Sequence, residues 1–151
     1  MKILNRRARY DYHLLQKFEA GIALTGAEVK SAKQGHLNLT ESFVRISDGQ
    51  AWLTNAYINP YPYADNRDYD PQRSRKLLLH KSELLKLAQQ TKGKNLTIVP
   101  VACYTKGHKV KLEIALARGK KKHDKREAKK RRAITKDVQQ ALKDKGMSVS
   151  T

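Results

Sequence analysis

The sequence is poor in the residues that staple secreted proteins and in the apolar runs that cross membranes. Its 151 residues include one cysteine, Cys103, so no internal disulfide and no cysteine-rich zinc site can form. No run of about 18 apolar residues occurs, which excludes a membrane-spanning helix. The first residues hold only Ile3 and Leu4 between charged or polar side chains, unlike a secretory signal. We therefore expect a protein of the reducing cytoplasm, without a membrane partner.

The sequence also lacks the motifs of common catalytic and metal sites. It contains no HExxH, no GxxxxGK(S/T) and no GxGxxG, and the acidic residues at 65, 68 and 70 do not complete a calcium-binding pattern. Cys103 lies in the strand-like run VACYT, where a buried structural thiol is more common than a nucleophile. The five histidines have no metal-ligand spacing: His13, His36, His80, His108 and His123. We expect no metal, no cofactor and no enzymatic activity.

Acidic residues are scarce relative to basic ones, and the excess is unevenly distributed. The chain has 32 Lys plus Arg against 14 Asp plus Glu, a formal charge of +18, and half of it lies in residues 118–151. Ten of the fifteen residues of Arg118–Arg132 are basic, too many for Asp124 and Glu127 to neutralise. Such a segment buries too little apolar surface to offset its ordering entropy. We expect a folded body, residues 1–117, and a basic tail, residues 118–151, that is disordered when free and binds a polyanion.

Two other roles for the basic tail stay open at this point. It could serve only to keep the protein in solution, or it could bind anionic lipid. Lipid is disfavoured because no acylation motif, amphipathic anchor or aromatic wedge accompanies the basic run.

Alternating apolar and polar residues predict a β-hairpin near the end of the body. The runs NLTIVPVACYT and HKVKLEIALAR meet at Lys106-Gly107. In the second run a core-facing set alternates with a solvent-facing set, with a period of two: Val110, Leu112, Ile114 and Leu116 against Lys109, Lys111, Glu113 and Ala115. Pro100 has no amide proton, so it must lie at an edge, a bulge or a non-bonded position.

A second hairpin is predicted around Asp48-Gly49, a favoured pair for a tight turn, between SFVRIS and QAWLTNAYI. We expect four of its residues to supply core contacts: Phe43, Ile46, Trp52 and Leu53. Residues 13–24 and 76–80 also read as strands, although Leu14-Leu15 blurs the alternation of the first.

Two helices and one long loop complete the body. Residues 26–35 predict a short helix that ends at Gly35. The run SELLKLAQQTKG predicts a second, with Ser82 as N-cap, Gly93 as the stop, and one apolar face made of Leu84, Leu85 and Ala88. Residues 59–73, rich in Pro, Tyr and Asp, read as an exposed loop. This order predicts a mainly β fold, an antiparallel barrel of the oligonucleotide-binding (OB) type with two or three short helices.

Basic residues interleaved with an aromatic ring make nucleic acid the leading partner. Arg6, Arg7 and Arg9 precede Tyr10, and guanidinium groups can bind phosphate while a phenol ring can stack on a base. An ordinary basic terminus is the alternative. Further positive charge is expected on solvent-facing strand positions: Arg73, Arg75, Lys109 and Lys111. Glu19, a carboxylate on this basic surface, is either a salt-bridge partner or an acceptor for base amino groups, and composition favours the former.

Three long motifs closely resemble the SmpB family, the SsrA-binding proteins of bacteria. They are NRRARYDYHLLQKFEAGIALTGAEVKSAKQGHLNLTESFV, DPQRSRKLLLHKSEL and KVKLEIALARGKKKHDKR, and the likeness spans nearly the whole chain. The resemblance implies an OB-type barrel that binds the tRNA-like domain of transfer-messenger RNA (tmRNA, SsrA). It further implies delivery of alanyl-tmRNA, with elongation factor Tu, to stalled ribosomes for trans-translation. We expect a monomer.

The resemblance also implies roles for particular residues. In the body it assigns RNA binding to Glu19, Leu78 and Lys109. It assigns to the tail contacts with the ribosome at the decoding centre and the message channel. The matching run begins at Gly119, and the basic residues continue to 132. The tail residues concerned are Lys120, Lys121, His123, Asp124, Lys125, Arg126, Lys129, Lys130, Arg131 and Arg132. Related sequences can carry an aromatic residue at the position of Ile134. This chain lacks an aromatic ring there, which puts a stacking role at that position in doubt. Glu127 and Arg131 form a favourable i,i+4 pair, and a helix induced by binding would place Ile134, Val138, Ala141 and Leu142 on one face.

Two other functions are alternatives. One is a structural ribosomal protein with a basic extension threaded through rRNA, and the other is an enzyme that acts on RNA. Neither accounts for the long family motifs.

Overall fold

The structure, a computed structural model, describes residues 1–127 and 129–133. It divides the chain into two compact units, Met1–Gly119 and Lys120–Thr151. The last strand of the first unit therefore runs two residues past the expected end of the body. The residues expected to form an induced helix, from Ile134 to Leu142, lie outside the described part of the chain. Among the described residues, no helix is long and apolar enough to span a bilayer.

The first unit is built mainly from strands. In chain order its elements are β1 (Lys2–Leu4), α1 (Arg6–Asp11), β2 (Tyr12–Ile22), α2 (Gly26–Lys33), β3 (Leu37–Asn38), β4 (Phe43–Ser47), β5 (Gln50–Thr54), β6 (Tyr57–Ile58), β7 (Arg75–Leu78), α3 (Lys81–Thr91), β8 (Leu96–Lys106) and β9 (Lys109–Gly119).

The main sheet closes on itself. Its order is β1-β8-β4-β5-β7-β2-β9, all neighbours are antiparallel, and β8 also pairs with β9. Closure removes the free edges of the strands that form the ring. The short β1 lies outside the ring on β8, and β3 pairs with β6 in a separate two-stranded sheet. The predicted antiparallel barrel with a few short helices is confirmed.

Both predicted hairpins are confirmed. β8 and β9 join through a tight turn in which Gly107 has φ +63°, and the Pro100/Ala102 register shift is the bulge that proline requires. β4 and β5 join through Asp48-Gly49, with φ of +52° and +70°. A second bulge between Leu14 and Gln16 leaves Leu15 half exposed, which explains the blurred alternation there.

The barrel interior takes the predicted alternating set of β9, because Val110, Leu112, Ile114 and Leu116 are all buried. One solvent-facing position was wrong, since Ala115 is also buried. The outer face of the sheet is covered nearby: Ala8 of α1 packs on Val99 and Ala117. The short helix that precedes β2, α1, was not predicted, and it is this helix that covers the outer face of the sheet.

Two aromatic residues of the second hairpin were wrongly assigned to the core. The register pairs Phe43 with Thr54 and Arg45 with Trp52, so both rings are on outward positions. Phe43 is 38% exposed and Trp52 is half-buried. Leu53 is fully buried as predicted, Ile46 packs against the core, and Val44 and Ala51 fill the remaining inward positions.

The helices begin and end close to their predicted positions. Thr25 caps α2 and forms a capping box with Glu28, and Gly35 follows the helix with φ +85°. For α3 the N-cap is His80 rather than Ser82, and the His80 amide donates to Glu83 at 3.2 Å. Its buried residue is Leu87, which the predicted face omitted, whereas Leu85 is 55% exposed.

Candidate nucleic-acid interface

The outer face of β2, β9 and β8 gathers charged residues at one end of the barrel. The ladder pairs Gly21 with Lys111 and Lys111 with Tyr104, while Lys109 pairs with Lys106 beside the turn. Gly21 also pairs with Leu78 on β7. We call this surface the Glu19 cluster, and it consists of Glu19, Leu78, Tyr104, Lys106, Lys109 and Lys111.

Glu19 is held by two side chains of β8. The Tyr104 hydroxyl donates to Glu19 Oε2, and Lys106 Nζ lies 3.3 Å from Glu19 Oε1. The hydrogen bond from Tyr104 lowers the pKa of Glu19, and Lys106 and Lys111 lower it further, although lost hydration acts in the opposite direction. Lost hydration and the adjacent Glu19 raise the pKa of Tyr104 to about 12. The carboxylate is thus ionised and oriented, and with 39% of its side chain exposed it can still accept from a ligand.

Leu78 is an exposed apolar residue within this charged surface. It is 56% exposed and packs over Gly21, where an added Cβ would lie 3.2 Å from Leu78 Cβ. Lys109 is exposed and Lys111 is half-buried. The structure therefore brings together four of the predicted body residues, namely Glu19, Leu78, Lys109 and Lys111.

Four other predicted body residues, Arg6, Arg7, Arg9 and Tyr10, lie on α1. Asn5 caps this helix: its side chain accepts from the Ala8 amide at 3.3 Å and donates to the carbonyls of Pro100 and Leu39 at 2.8 and 3.2 Å. Arg6, Arg7 and Arg9 are exposed, Tyr10 is half-buried, and Arg7 Nε lies 3.2 Å from Asp11 Oδ2. Because α1 packs on Ala117, it lies about 13 Å along β9 from Glu113, the partner of Glu19, and about 20 Å from Lys111.

Arg75 is not on the surface, contrary to the prediction. It is fully buried, and all five of its donors are used. Its Nε donates to Glu28 Oε2 at 2.8 Å and its Nη1 to the carbonyls of Ala56 and Arg73 at 2.9 and 3.0 Å. Its Nη2 lies 2.7 Å from Glu28 Oε2 and donates to the Pro71 carbonyl at 2.9 Å. The expectation that alternation keeps Arg75 facing solvent was wrong, because Arg75 shares the buried face of β7 with Leu77 and its side chain lies under the 59–73 loop.

Glu28 is the other centre of this buried network. It is 1% exposed and also pairs with Arg73, while the Tyr69 hydroxyl lies 3.2 Å from its Oε2. Burial raises the pKa of Glu28, but hydrogen bonds from Arg73, the Thr25 amide and Arg75 outweigh it, so the pKa is lowered overall. Arg73, expected to face solvent, is 35% exposed and is engaged with Glu28. The network fixes the 59–73 loop to α2 and β7 and offers little to a ligand.

The described part of the basic tail is helical at residues 122–127 and 129–133. The Lys121 amide donates to Asp124 Oδ2 at 3.2 Å, which caps the first turn. His123 Nε2 lies 3.1 Å from Asp124 Oδ1, and the expected Glu127–Arg131 pair is present at 3.8 Å. Most of its basic side chains are exposed: Lys121, Lys122, Arg126, Lys129, Lys130, Arg131 and Arg132. The prediction of disorder concerns the free protein in solution and stays a prediction.

The described residues do not assemble a candidate metal site. No group of three or more His, Cys, Asp or Glu side chains within 1–127 and 129–133 could hold a metal ion. Cys103 is buried, and lost hydration raises the pKa of its thiol to about 12, so it is a structural residue and a poor nucleophile.

Comparison with known proteins decides which family this barrel represents. A family profile described as SmpB protein matches residues 2–144. The chain belongs to the SmpB family. SmpB relatives described as SsrA-binding protein include one from Sulfurihydrogenibium, 53% identical over 141 residues, which covers 93% of each chain. Another, from Carboxydothermus hydrogenoformans, is 48% identical over 139 residues and covers 92% of this chain and 93% of the relative.

A solved SmpB structure has the same fold. It is described as "tmRNA-SmpB: a journey to the center of the bacterial ribosome" and is 48% identical in sequence. The superposition has a TM-score of 0.67 and covers 80% of this chain and 85% of that one. The resemblance expected from the motifs is confirmed.

Sequence reasoning missed Tyr104 and Lys106 as members of the Glu19 cluster. The signal was available in part, because Tyr104 and Lys106 are two residues apart on a strand and pair with Lys111 and Lys109. What the sequence did not reveal is that Glu19 reaches across β9 to contact them.

Proposed function

We propose that this protein is an SsrA-binding protein. It binds the tRNA-like domain of tmRNA and delivers it to stalled ribosomes, where trans-translation tags the incomplete product. The observation that carries the proposal is the Glu19 cluster: an oriented carboxylate and an exposed leucine among Lys106, Lys109 and Lys111, on the outer face of an SmpB-family barrel. Relatives described as SsrA-binding proteins support the identity of the RNA.

The chemistry of the cluster suits a folded RNA. Lysines bind phosphate and supply affinity without reading sequence. Glu19 accepts hydrogen bonds from base or ribose donors, which adds selectivity that positive charge does not provide. Leu78 contributes apolar contact at the β7 end of the cluster. Arg6, Arg7, Arg9 and Tyr10, on α1, form a second RNA-contacting surface of the body.

In this proposal the basic tail engages the ribosome. Its exposed lysines and arginines bind rRNA at the decoding centre and the message channel, and phosphate contacts offset their mutual repulsion. The two units thus divide the work, since the body holds tmRNA and the tail recognises the stalled ribosome. The description of the solved relative names tmRNA, SmpB and the ribosome, which supports these two partners.

The remaining features of the function follow from these partners. The protein acts by binding rather than by catalysis, and it works in the cytoplasm, where ribosomes translate. Elongation factor Tu is an indirect partner, through alanyl-tmRNA. The protein acts as a monomer, because ring closure leaves few strand edges for a second copy to pair with.

A truncation at the boundary between the two units tests the division of work. Removal of residues 120–151 keeps β9 intact to Gly119, so the barrel should fold, which circular dichroism and thermal unfolding would check. We expect the truncated protein to retain much of its affinity for the tRNA-like domain in a filter-binding assay. Tagging of a nascent chain on a ribosome stalled without a stop codon should be abolished. If truncation destroys RNA binding and leaves tagging intact, the assignment of roles is wrong.

A matched experiment separates this function from that of a structural ribosomal protein. An SsrA-binding protein should leave ribosomes washed with high salt and co-purify with tmRNA. Stoichiometric retention on such washed ribosomes would contradict the proposal.

A further inference from the structure

A row of three side chains crosses the outer face of β4, β5 and β7. The ladder pairs Arg45 with Trp52 and Trp52 with Lys76, so the three residues lie side by side on adjacent strands. Neighbouring strands are about 4.8 Å apart, so the backbones of Arg45 and Lys76 each lie one strand spacing from that of Trp52. Arg45 is exposed, and Trp52 and Lys76 are half-buried. We call these residues the Trp52 row.

The surroundings of the Trp52 row are apolar, neutral polar or cationic. The outward positions of the three strands, alternating with the buried ones, are Phe43, Arg45, Ser47, Gln50, Trp52, Thr54, Lys76 and Leu78, and none is acidic. Leu78 lies two residues beyond Lys76 on β7 and belongs to the Glu19 cluster. The row is therefore continuous with that cluster along the outer wall of the barrel.

The outward position of the Trp52 ring indicates that it contacts a binding partner. Trp52 is the chain's one tryptophan. The register places this large apolar ring outside the barrel, whereas its neighbours on β5, Ala51 and Leu53, fill the inward positions. Partly exposed aromatic rings flanked by cations are the means by which OB-type sheet faces bind single-stranded nucleic acid. The ring stacks on a base, and the cations bind the flanking phosphates.

We propose that the Trp52 row is an RNA-binding site that takes an unpaired nucleotide. Trp52 stacks on the base, and Arg45 and Lys76 contact the phosphates on its two sides. The site extends the RNA surface beyond the residues of the Glu19 cluster, and it rests on the proposed function only in taking RNA as the partner. Charge complementarity favours RNA over a protein partner, because the outward positions of these strands carry two basic residues, Arg45 and Lys76, and no acidic one.

The single tryptophan makes a direct test possible. The full-length protein is titrated with a transcript of the tRNA-like domain of tmRNA while the emission of Trp52 is recorded. In parallel, the anisotropy of the same transcript carrying a fluorophore reports binding without reference to Trp52. We expect saturable quenching of Trp52 with the same midpoint as the anisotropy change, because a stacked base quenches indole emission. A transcript that binds with Trp52 emission unchanged would overturn the inference.

Variants test the energetic role of the ring and the cations. Trp52→Leu keeps an apolar side chain but removes the π face, and we expect at least about fivefold weaker RNA binding. The control is Tyr63→Leu, because Tyr63 is 87% exposed on the 59–73 loop away from these strands, and it should leave affinity unchanged. Arg45→Gln and Lys76→Gln should each reduce the slope of log Kobs against log salt concentration by about 0.7–0.9, the contribution of one phosphate contact.

The outcomes separate the two proposals. Thermal unfolding of each variant checks that the barrel is intact, and the salt slopes of the Gln variants stand independently of any folding defect in Trp52→Leu. Affinity of Trp52→Leu within twofold of the parent, with unchanged slopes in both Gln variants, would refute the Trp52 row and leave the Glu19 cluster standing. Failure of the parent protein to bind the transcript would refute both.

Discussion

The buried Glu28–Arg75 pair gives the sharpest prediction for stability. Arg75→Met keeps the apolar bulk of the side chain but removes the charge that faces Glu28. Glu28 would retain Arg73 and the Thr25 amide, yet the carbonyls of Ala56, Arg73 and Pro71 would lose a donor that they have at 2.9–3.0 Å. Breaking a buried ion pair by removing one partner costs about 3–5 kcal/mol. We expect a loss of this size in the free energy of unfolding.

Urea unfolding followed by circular dichroism measures this loss. At about 2–4 °C per kcal/mol for a chain of this size, the melting temperature should fall by about 6–20 °C. The matched control is Arg67→Met. Arg67 also pairs with a carboxylate, Asp65, at 2.7 Å, but the two side chains are 86% and 62% exposed. Because exposed pairs contribute little, this control should unfold like the parent.

A double variant and an RNA titration complete the test. Adding Glu28→Gln to Arg75→Met should cost less than the sum of the single changes, because the buried charge that Arg75 compensates is then absent. At a temperature where Arg75→Met is folded, the salt slope of RNA binding should equal that of the parent, since a fully buried guanidinium contacts no phosphate. A folded Arg75→Met variant of unchanged stability, with a shallower salt slope, would refute the structural role and restore Arg75 to the RNA surface.

Three further predictions concern other parts of the molecule. The lowered pKa of Glu28 means that its contribution to stability is complete above its ordinary pKa of 4.5 and is lost as pH falls through the lower folded value. Urea titrations between pH 6 and pH 3 should therefore show a shallower acid loss for Glu28→Gln than for the parent, and equal slopes would contradict the lowered pKa. Lys109→Ala should weaken binding of the tRNA-like domain and reduce the salt slope by about 0.7–0.9, whereas Lys86→Ala on α3 should do neither. An unchanged slope for Lys109→Ala would show that Lys109 contacts no phosphate. Gly21→Ala should change stability by less than about 1 kcal/mol, because the half-exposed Leu78 can move away from the new Cβ at 3.2 Å. It should nevertheless weaken RNA binding by displacing Leu78, and parent-like affinity would show that the position of Leu78 is unimportant.

The Glu19 cluster was predictable in part. A period of two placed Lys109 and Lys111 on the outer face of β9, and the family motifs added Glu19 and Leu78. Tyr104 and Lys106 escaped because sequence periodicity describes one strand at a time. Their contact with Glu19 spans 85 and 87 residues of sequence and depends on the register of three strands.

Arg75 shows where the usual exposure of a charged side chain misleads, because it shares the buried face of β7 with Leu77. The rule that an arginine on a strand faces solvent assumes that no other part of the chain covers it. Here Glu28 of α2 and the carbonyls of Ala56, Pro71 and Arg73 accept from the N–H groups of Arg75. These partners compensate the burial of its charge. The wrong core assignment of Phe43 and Trp52 has a related cause, because hydrophobicity does not state which face of a hairpin is turned inward.

The sequence by itself determined the local architecture: two hairpins with their glycine turns, α2 and α3 with the glycines that follow them, the bulge at Pro100 and the concentration of charge after residue 117. These features depend on backbone dihedrals, hydrogen-bond donors and side-chain spacing between near neighbours, which the order of residues states directly. Only the tertiary structure decided that the ring is completed by pairing of β4 with β8 and of β2 with β9, that Arg75 is buried and that Trp52 faces outward. Those outcomes depend on strand register and on cover by distant segments, and both are settled by packing of the whole chain.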